Sequence, residues 1–171
     1  SENDMNYFTQ WQKAVQSLKL PDFEFSNYFV ARELAKRIPP QSLLHMAILN
    51  STRVMQYFAL NETVRCYSNV GALGIDGCLS TFIGQAAVTQ GLAYCIIGDL
   101  SFFYDMGAAA IRHLGKNVRI IILNNGGGAE FHFSFGKDKV PTLNEYICAE
   151  HQVKAQGWLE SLGFRYFAAA T

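Results

Sequence analysis

The chain has no surplus of charge: 14 Lys and Arg stand against 14 Asp and Glu, so the formal net charge is zero. No basic run with interleaved aromatics occurs either, which removes the electrostatic case for nucleic acid or an anionic membrane. No apolar stretch approaches the roughly 20 residues that span a bilayer, and no signal peptide is legible. The expected location is the cytoplasm, with no membrane partner. CxxC spacing is missing as well. The four cysteines, Cys66, Cys78, Cys95 and Cys148, have no histidine at metal-ligand spacing, and three lie in or beside apolar segments. Free thiols behaving as small hydrophobes are expected, in place of disulfides or a zinc site. There is no internal repeat, no low-complexity tract and no initiator methionine. The polar opening Ser1, Glu2, Asn3, Asp4 and the close at Ala168, Ala169, Ala170, Thr171 read as cuts from a longer protein.

What is present is apolar. Half of the 171 residues are hydrophobic and 16% are charged, enough for one substantial core and further burial against a partner. Residues 1–42 read as a helical linker segment. Phe8, Trp11, Val15 and Leu18 recur at helical spacing until Pro21, and a second helix follows Ser26 as N-cap and stops before Pro39 and Pro40. From Leu43 onward, short buried strands are expected at 44–49, 64–68, 92–97, 118–123 and 164–168. Helices are expected after Asn50 and Ser51, and over 76–89, 101–114 and, with interruptions, 144–162. Continuous apolar strands alternating with helices predict an α/β fold over residues 43–171. It is a three-layer, doubly wound parallel sheet with helices on both faces. In such folds ligands sit outside the carboxyl ends of the strands. The segments after the first four strands are Asn50-Ser51, 69–77, 98–101 and 124–128, and each is rich in Gly, Asn, Ser or Asp.

Two of these strand ends carry metal chemistry. At Ile97-Gly98-Asp99-Leu100-Ser101 a buried strand delivers a glycine, then a carboxylate, then the first turn of a helix. Gly98 lets a ligand approach the backbone. A carboxylate there would repel phosphate unless a cation lay between them, so Asp99 suits a hard divalent ion bridging to phosphate oxygens. An Asp that only caps a helix is the other reading. At Asn124-Asn125-Gly126-Gly127-Gly128 a second buried strand ends in two amides and three glycines. Its neutral oxygens and freed carbonyls are further hard ligands, against a reading as a plain tight turn. A dinucleotide-binding reading fails, because no GxGxxG turn follows the first strand.

The Gly98-Asp99 pair, followed one helix later by Asn124-Asn125, resembles the motif of thiamine-diphosphate-dependent enzymes. The resemblance implies the thiamine-diphosphate-binding fold, with Asp99, Asn125 and the Gly127 carbonyl as ligands of Mg2+ or Mn2+. The spelling resembles that of MenD-type synthases. It is carried by Gly98 to Ser101, Tyr104-Asp105-Met106, Asn124 to Gly128 with Phe131, and the stretch from Tyr67 to Gly77 with Leu79-Ser80-Thr81. Clear from about Asn50 to Phe133, it implies the diphosphate-binding (C-terminal) domain of a transferase. Such enzymes decarboxylate 2-oxoglutarate and add the succinyl unit to isochorismate in menaquinone biosynthesis. It further implies that Gly74 and Ile75 contact the cofactor, Ile75 as the wedge that bends it. Ser51, Gly98, Leu100, Ser101 and Gly128 lie around the diphosphate, and Phe131 lines the substrate side.

The pattern departs in two places. Val70 and Met55 stand where the family usually has arginines for substrate carboxylates, and Arg53 lies two positions from the second. A different 2-oxo acid, or a domain that binds without catalysing, therefore stays open. The glutamate that activates the cofactor ring is expected on a separate pyrimidine-binding domain of the same or another subunit. Neither Glu130 nor Glu145 matches that role. No catalytic residue is assigned within the chain, which is expected to be inactive alone and to belong to a homodimer or homotetramer. His45, His113, His132 and His151 are scattered singly, and only His132, beside Phe131, reads as a substrate contact.

Overall fold

The computed structural model describes residues 5–135 and 139–170; the polar opening Ser1 to Asp4 and the final Thr171 lie outside the described residues. Helix α1, Met5–Ser17, carries the expected apolar stripe, but Tyr7, Phe8, Trp11 and Val15 are all exposed. Helix α2, Asn27–Arg37, is N-capped by Ser26, whose hydroxyl oxygen accepts the Phe29 N–H at 3.3 Å. It packs on the sheet through Ala31.

Four strands follow, β1 Leu43–Met46, β2 Arg65–Ser68, β3 Ala93–Gly98 and β4 Val118–Leu123, all parallel in the order β2-β1-β3-β4. Helix α3, Asn50–Met55, joins β1 to β2, and α4, Cys78–Ala87, joins β2 to β3. The chain thus leaves β1 in one direction and returns on its other side, so the loops after β1 and β3 diverge and open a crevice at their carboxyl ends. Helix α5, Asp99–Tyr104, begins directly after the last residue of β3; α6, Glu130–Phe135, and α7, Gln156–Ser161, come after β4.

Strand alternation sends neighbouring residues to opposite faces, and both faces are apolar. Leu43, Cys95 and Ile97 meet Phe82 of α4, Phe102 of α5 and Leu159 of α7, while Leu44 and Ile96 meet Ala31, Val54 and Met55 beneath α2 and α3. This is the predicted three-layer α/β arrangement. Each fully buried Phe or Leu contributes roughly 1.5–3 kcal/mol of transfer free energy. Cys78, Cys95 and Cys148 are buried free thiols and Cys66 is an exposed one; burial pushes the Cys95 thiol well above its ordinary value. Among the described residues no helix is long and apolar enough to cross a membrane.

Several boundaries differ from expectation. The first strand stops at Met46, because Leu49 adopts a left-handed φ of 68° to turn the chain into α3. The helix expected over 101–114 breaks after Tyr104 into a 3-10 turn, Met106–Ala110. The one expected over 144–162 splits into a π-turn, Leu143–Ile147, and α7. Residues 164–168 form no strand. Gly163, at φ +85°, ends α7 with Gly163 N–H to Glu160 O and Phe164 N–H to Leu159 O bonds. Beyond it, Phe164 and Tyr166 turn inward against the core and Phe167 turns out. The alternation read from sequence is real, but no neighbouring strand supplies a ladder.

Candidate functional site

Asp99 is 2% exposed at the end of β3. A carboxylate that deep needs hydrogen bonds to offset its lost hydration. It receives them from main chain: Leu100 N–H donates to Oδ1 at 2.7 Å, and Gly126 N–H and Gly127 N–H donate to Oδ2 at 2.7 and 3.2 Å. β3 and β4 are paired through Gly98 and Leu123, so the sheet register itself brings the two strand ends together. Asp99 thus organises the glycine loop after β4 in addition to opening a helix.

The loop is held from its other side by residues 148–151. Gly128 N–H donates to Cys148 O at 2.7 Å, and His151 N–H donates to Gly126 O at 2.9 Å. Close approach explains the glycine at 127: its φ is +153°, and a Cβ there would lie 2.7 Å from Cys148 O. Asn124 is tied by its side-chain N–H to Val153 O at 3.2 Å. Asn125 is exposed and lines a small pocket of about 130 Å3 with Gly127, His132, Asn144 and Glu150. The Gly127 carbonyl accepts the Ala129 N–H at 3.0 Å.

Upstream, the two halves of the more discriminating motif touch. Asp105 Oδ2 accepts the Ser80 N–H at 2.7 Å and the Ser80 hydroxyl at 2.8 Å. It caps α4 from a distance, because the residue in the cap position, Gly77, has no side chain to do so. Ser101 donates its hydroxyl to the Ile75 carbonyl, fixing the start of α5 to the loop that carries Ile75. Ile75 is half-buried, and Gly74 is exposed beside it. Buried His45 shares its Nδ1 with Gln85 Oε1 at 3.0 Å, and Asn69 also neighbours the ring. Burial lowers the His45 pKa from its ordinary value, with Gln85 and Asn69 opposing.

Ser51 is buried in the first turn of α3. Two residues on, Arg53 reaches Glu130 at the start of α6 and forms an ion pair, which raises the Arg53 pKa. Met55 is 2% exposed in the core between sheet and helices, whereas Val70 is exposed. The Phe131 ring lies over Gly128, close enough that a Cβ at Gly128 would be 3.0 Å from it. The Phe133 side chain is exposed; that of Phe135 lies outside the described side chains.

The structure therefore gathers Asp99, Asn125, Gly127, Gly128 and Phe131 at the β3 and β4 ends, with Leu100 and Ser101 beside them. It links Ile75 to this group through Ser101. Arg53 reaches the edge of this group, where it is held by Glu130, the residue before Phe131. Sequence reasoning missed His151, whose Nε2 is 3.4 Å from Asp99 Oδ2. No spacing signal could have found it, because it lies far along the chain from β4, beyond α6. Among the described residues no cluster of three His, Cys, Asp or Glu is placed to hold a metal. The donors at the loop are one carboxylate with amide and peptide oxygens, a hard set.

No protein-family model matches the chain. Individual proteins do. It is 40% identical over 160 residues to a 2-succinyl-5-enolpyruvyl-6-hydroxy-3-cyclohexene-1-carboxylate synthase of Bacteroides fragilis, an alignment covering 94% of this chain and 29% of the relative. It is 41% identical over 161 residues to the protein of that name in Phocaeicola vulgatus, with the same coverage. The counterpart of Desulfotalea psychrophila is 38% identical over 139 residues, 81% of this chain and 26% of its own. Over nearly its whole length, then, the chain resembles 2-succinyl-5-enolpyruvyl-6-hydroxy-3-cyclohexene-1-carboxylate synthases, and it spans about 29% of the length of the relatives that it matches most fully.

Proposed function

We propose that this chain is the diphosphate- and metal-binding domain of a thiamine-diphosphate-dependent transferase. In the full-length protein it would serve decarboxylation of 2-oxoglutarate and succinyl addition to isochorismate, in menaquinone biosynthesis. The observation that carries the reading is buried Asp99 joined to the Gly126 and Gly127 amides where β3 and β4 end. The residues present fit the group. Asp99, Asn125 and the Gly127 carbonyl offer hard oxygens for Mg2+ or Mn2+, and phosphate oxygens would complete the shell. Gly98 is informative: its φ is −71°, and a Cβ there would meet nothing within 4 Å. The protein's own packing does not demand a glycine at that point, while a ligand lying against the strand end would.

Bound there, thiamine diphosphate supplies the carbanion-stabilising chemistry of decarboxylation and carboligation. The chain's residues bind and orient. Ser51, Gly98, Leu100, Ser101 and Gly128 frame the diphosphate; Gly74 and Ile75 support the cofactor from the α4 side, with Ile75 braced by Ser101. Phe131 lines the substrate side, and Arg53 offers a guanidinium to a substrate carboxylate in exchange for Glu130. The activating glutamate belongs to a pyrimidine-binding domain of the same or another subunit, in a cytoplasmic homodimer or homotetramer. The isolated chain is inactive. A related enzyme with another 2-oxo acid is the second reading, favoured by Met55, whose burial leaves no room for an arginine in that core.

Calorimetric titration of thiamine diphosphate with Mg2+ into the full-length protein tests this. Metal-dependent binding, lost in Asp99→Ala, is the expected outcome; binding that survives the substitution refutes the metal site.

A further inference from the structure

Asp99 Oδ2 accepts two amide hydrogens and has a third neighbour, the imidazole of His151. Val153 N–H donates to His151 Nδ1 at 3.1 Å. A neutral imidazole that accepts at Nδ1 carries its hydrogen on Nε2. That atom is buried, makes no hydrogen bond among the described residues, and lies 3.4 Å from Asp99 Oδ2. A buried donor without a partner is costly, so its placement calls for a reason.

The ring is not there by looseness. His151 main-chain N–H holds Gly126 O, and the ring stands edge-on to Phe103, with centroids 5.4 Å apart. Ala149, two residues earlier, has a left-handed φ of 48°, a conformation disfavoured for a residue with a Cβ. The segment is thus turned at a conformational cost and stitched to the glycine loop by main chain, and its outcome is an N–H beside the deepest carboxylate of the site.

Oδ2 is consequently crowded and Oδ1 is not. The Gly126 and Gly127 amides occupy the two lone pairs of Oδ2, and the His151 N–H dipole adds to them, whereas among the described residues Oδ1 accepts only Leu100 N–H. We propose that His151 is a positioning residue for Asp99, pinning Oδ2 against the glycine loop so that the carboxylate offers the cation Oδ1 alone. The inference rests on the metal-site reading of the preceding section. It also separates the residue from chemistry: His151 touches neither cofactor nor substrate and acts through Asp99. Outer-shell donors of this kind orient a ligand and typically change metal affinity about 10–100-fold when removed.

The test measures Mn2+ affinity by electron paramagnetic resonance in the full-length protein, with thiamine diphosphate present. His151→Ala is expected to weaken Mn2+ about 10–100-fold. His151→Gln is expected to restore most of the loss, because the glutamine amide nitrogen sits where Nε2 sits and still donates. Phe103→Leu removes the ring contact but keeps the donor, and should stay near wild type. Equal losses in the Ala and Gln variants would mean that the ring only fills space, and would overturn the proposal; so would wild-type affinity in His151→Ala. Loss in Asp99→Ala with none in His151→Ala sinks this inference and spares the metal site, whereas no metal-dependent binding in wild type sinks both. If His151→Ala does not fold, nitrogen NMR of wild-type imidazoles decides. A hydrogen on Nε2, shifting when Mg2+ is added, supports the proposal, and a hydrogen on Nδ1 overturns it.

Discussion

Asp99 and Arg53 are charged residues read into the same site, and the molecule holds them in opposite ways. Asp99 is buried and takes its hydrogen bonds from main-chain amides of its own helix and of the loop after β4. Arg53 is half exposed on a short helix and meets side chains, Glu130 as its ion-pair partner and Asn50 Oδ1 at 3.5 Å. The first arrangement is set by sheet register and changes only if backbone moves. The second can be exchanged for a substrate carboxylate at little cost, since exposed ion pairs contribute at most about 1 kcal/mol. Rigidity at Asp99 and exchangeability at Arg53 are what the proposed roles of orienting a cofactor and receiving a substrate carboxylate require.

Substituting glycines probes the rigid end most sharply. Gly127→Ala places a Cβ 2.7 Å from Cys148 O at a φ of +153°, and should cost about 2–3 kcal/mol in urea denaturation. Gly98→Ala meets nothing within 4 Å and should change stability by less than about 0.5 kcal/mol while weakening cofactor binding. Equal stability losses in both would erase the distinction between a glycine required by the fold and one required by a ligand.

His45 is intermediate between the two: buried like Asp99, but held by side chains like Arg53. Burial keeps its folded pKa below the ordinary 6.5, so the unfolded chain binds more protons in the window between the two values. Stability is complete above about pH 6.5 and falls as pH drops through it, by at most about 1.4 kcal/mol per pH unit, levelling below the folded value. Denaturation midpoints from neutral to mildly acidic pH should show this slope, and His45→Gln should flatten it. A slope that persists in the variant belongs to another group.

Arg53 belongs among the small effects on stability. Arg53→Ala should change stability by less than about 1 kcal/mol. It should raise KM for the 2-oxo acid about tenfold, the size of one charged hydrogen bond, with kcat little altered. A stability loss as large as that of Gly127→Ala would place Arg53 with the rigid scaffold.

The meeting of Asp99 with the glycine loop was legible in the sequence, whereas the partner of Arg53 was not. Gly98-Asp99 and Asn124 to Gly128 are contiguous words at the ends of apolar runs, and parallel pairing of neighbouring strands brings such words together. Ser80 and Asp105 were legible as parts of a resemblance, without a reason; their contact across the N-terminus of α4 supplies it. The strand expected over 164–168 was misread because alternation reports which side chains face the core and says nothing of whether a neighbouring strand is in reach.

By itself, then, the sequence determined the alternation of buried strands with helices, the two faces of the sheet, and the carboxylate and glycines at adjacent strand ends. All of these depend on local periodicity and on residues close in the chain. Tertiary structure alone decided that His151 stands beside Asp99, that Glu130 holds Arg53, and that Met55 is core. Those contacts join residues through folded-back, irregular segments, where only the packing of the whole sets which side chains meet.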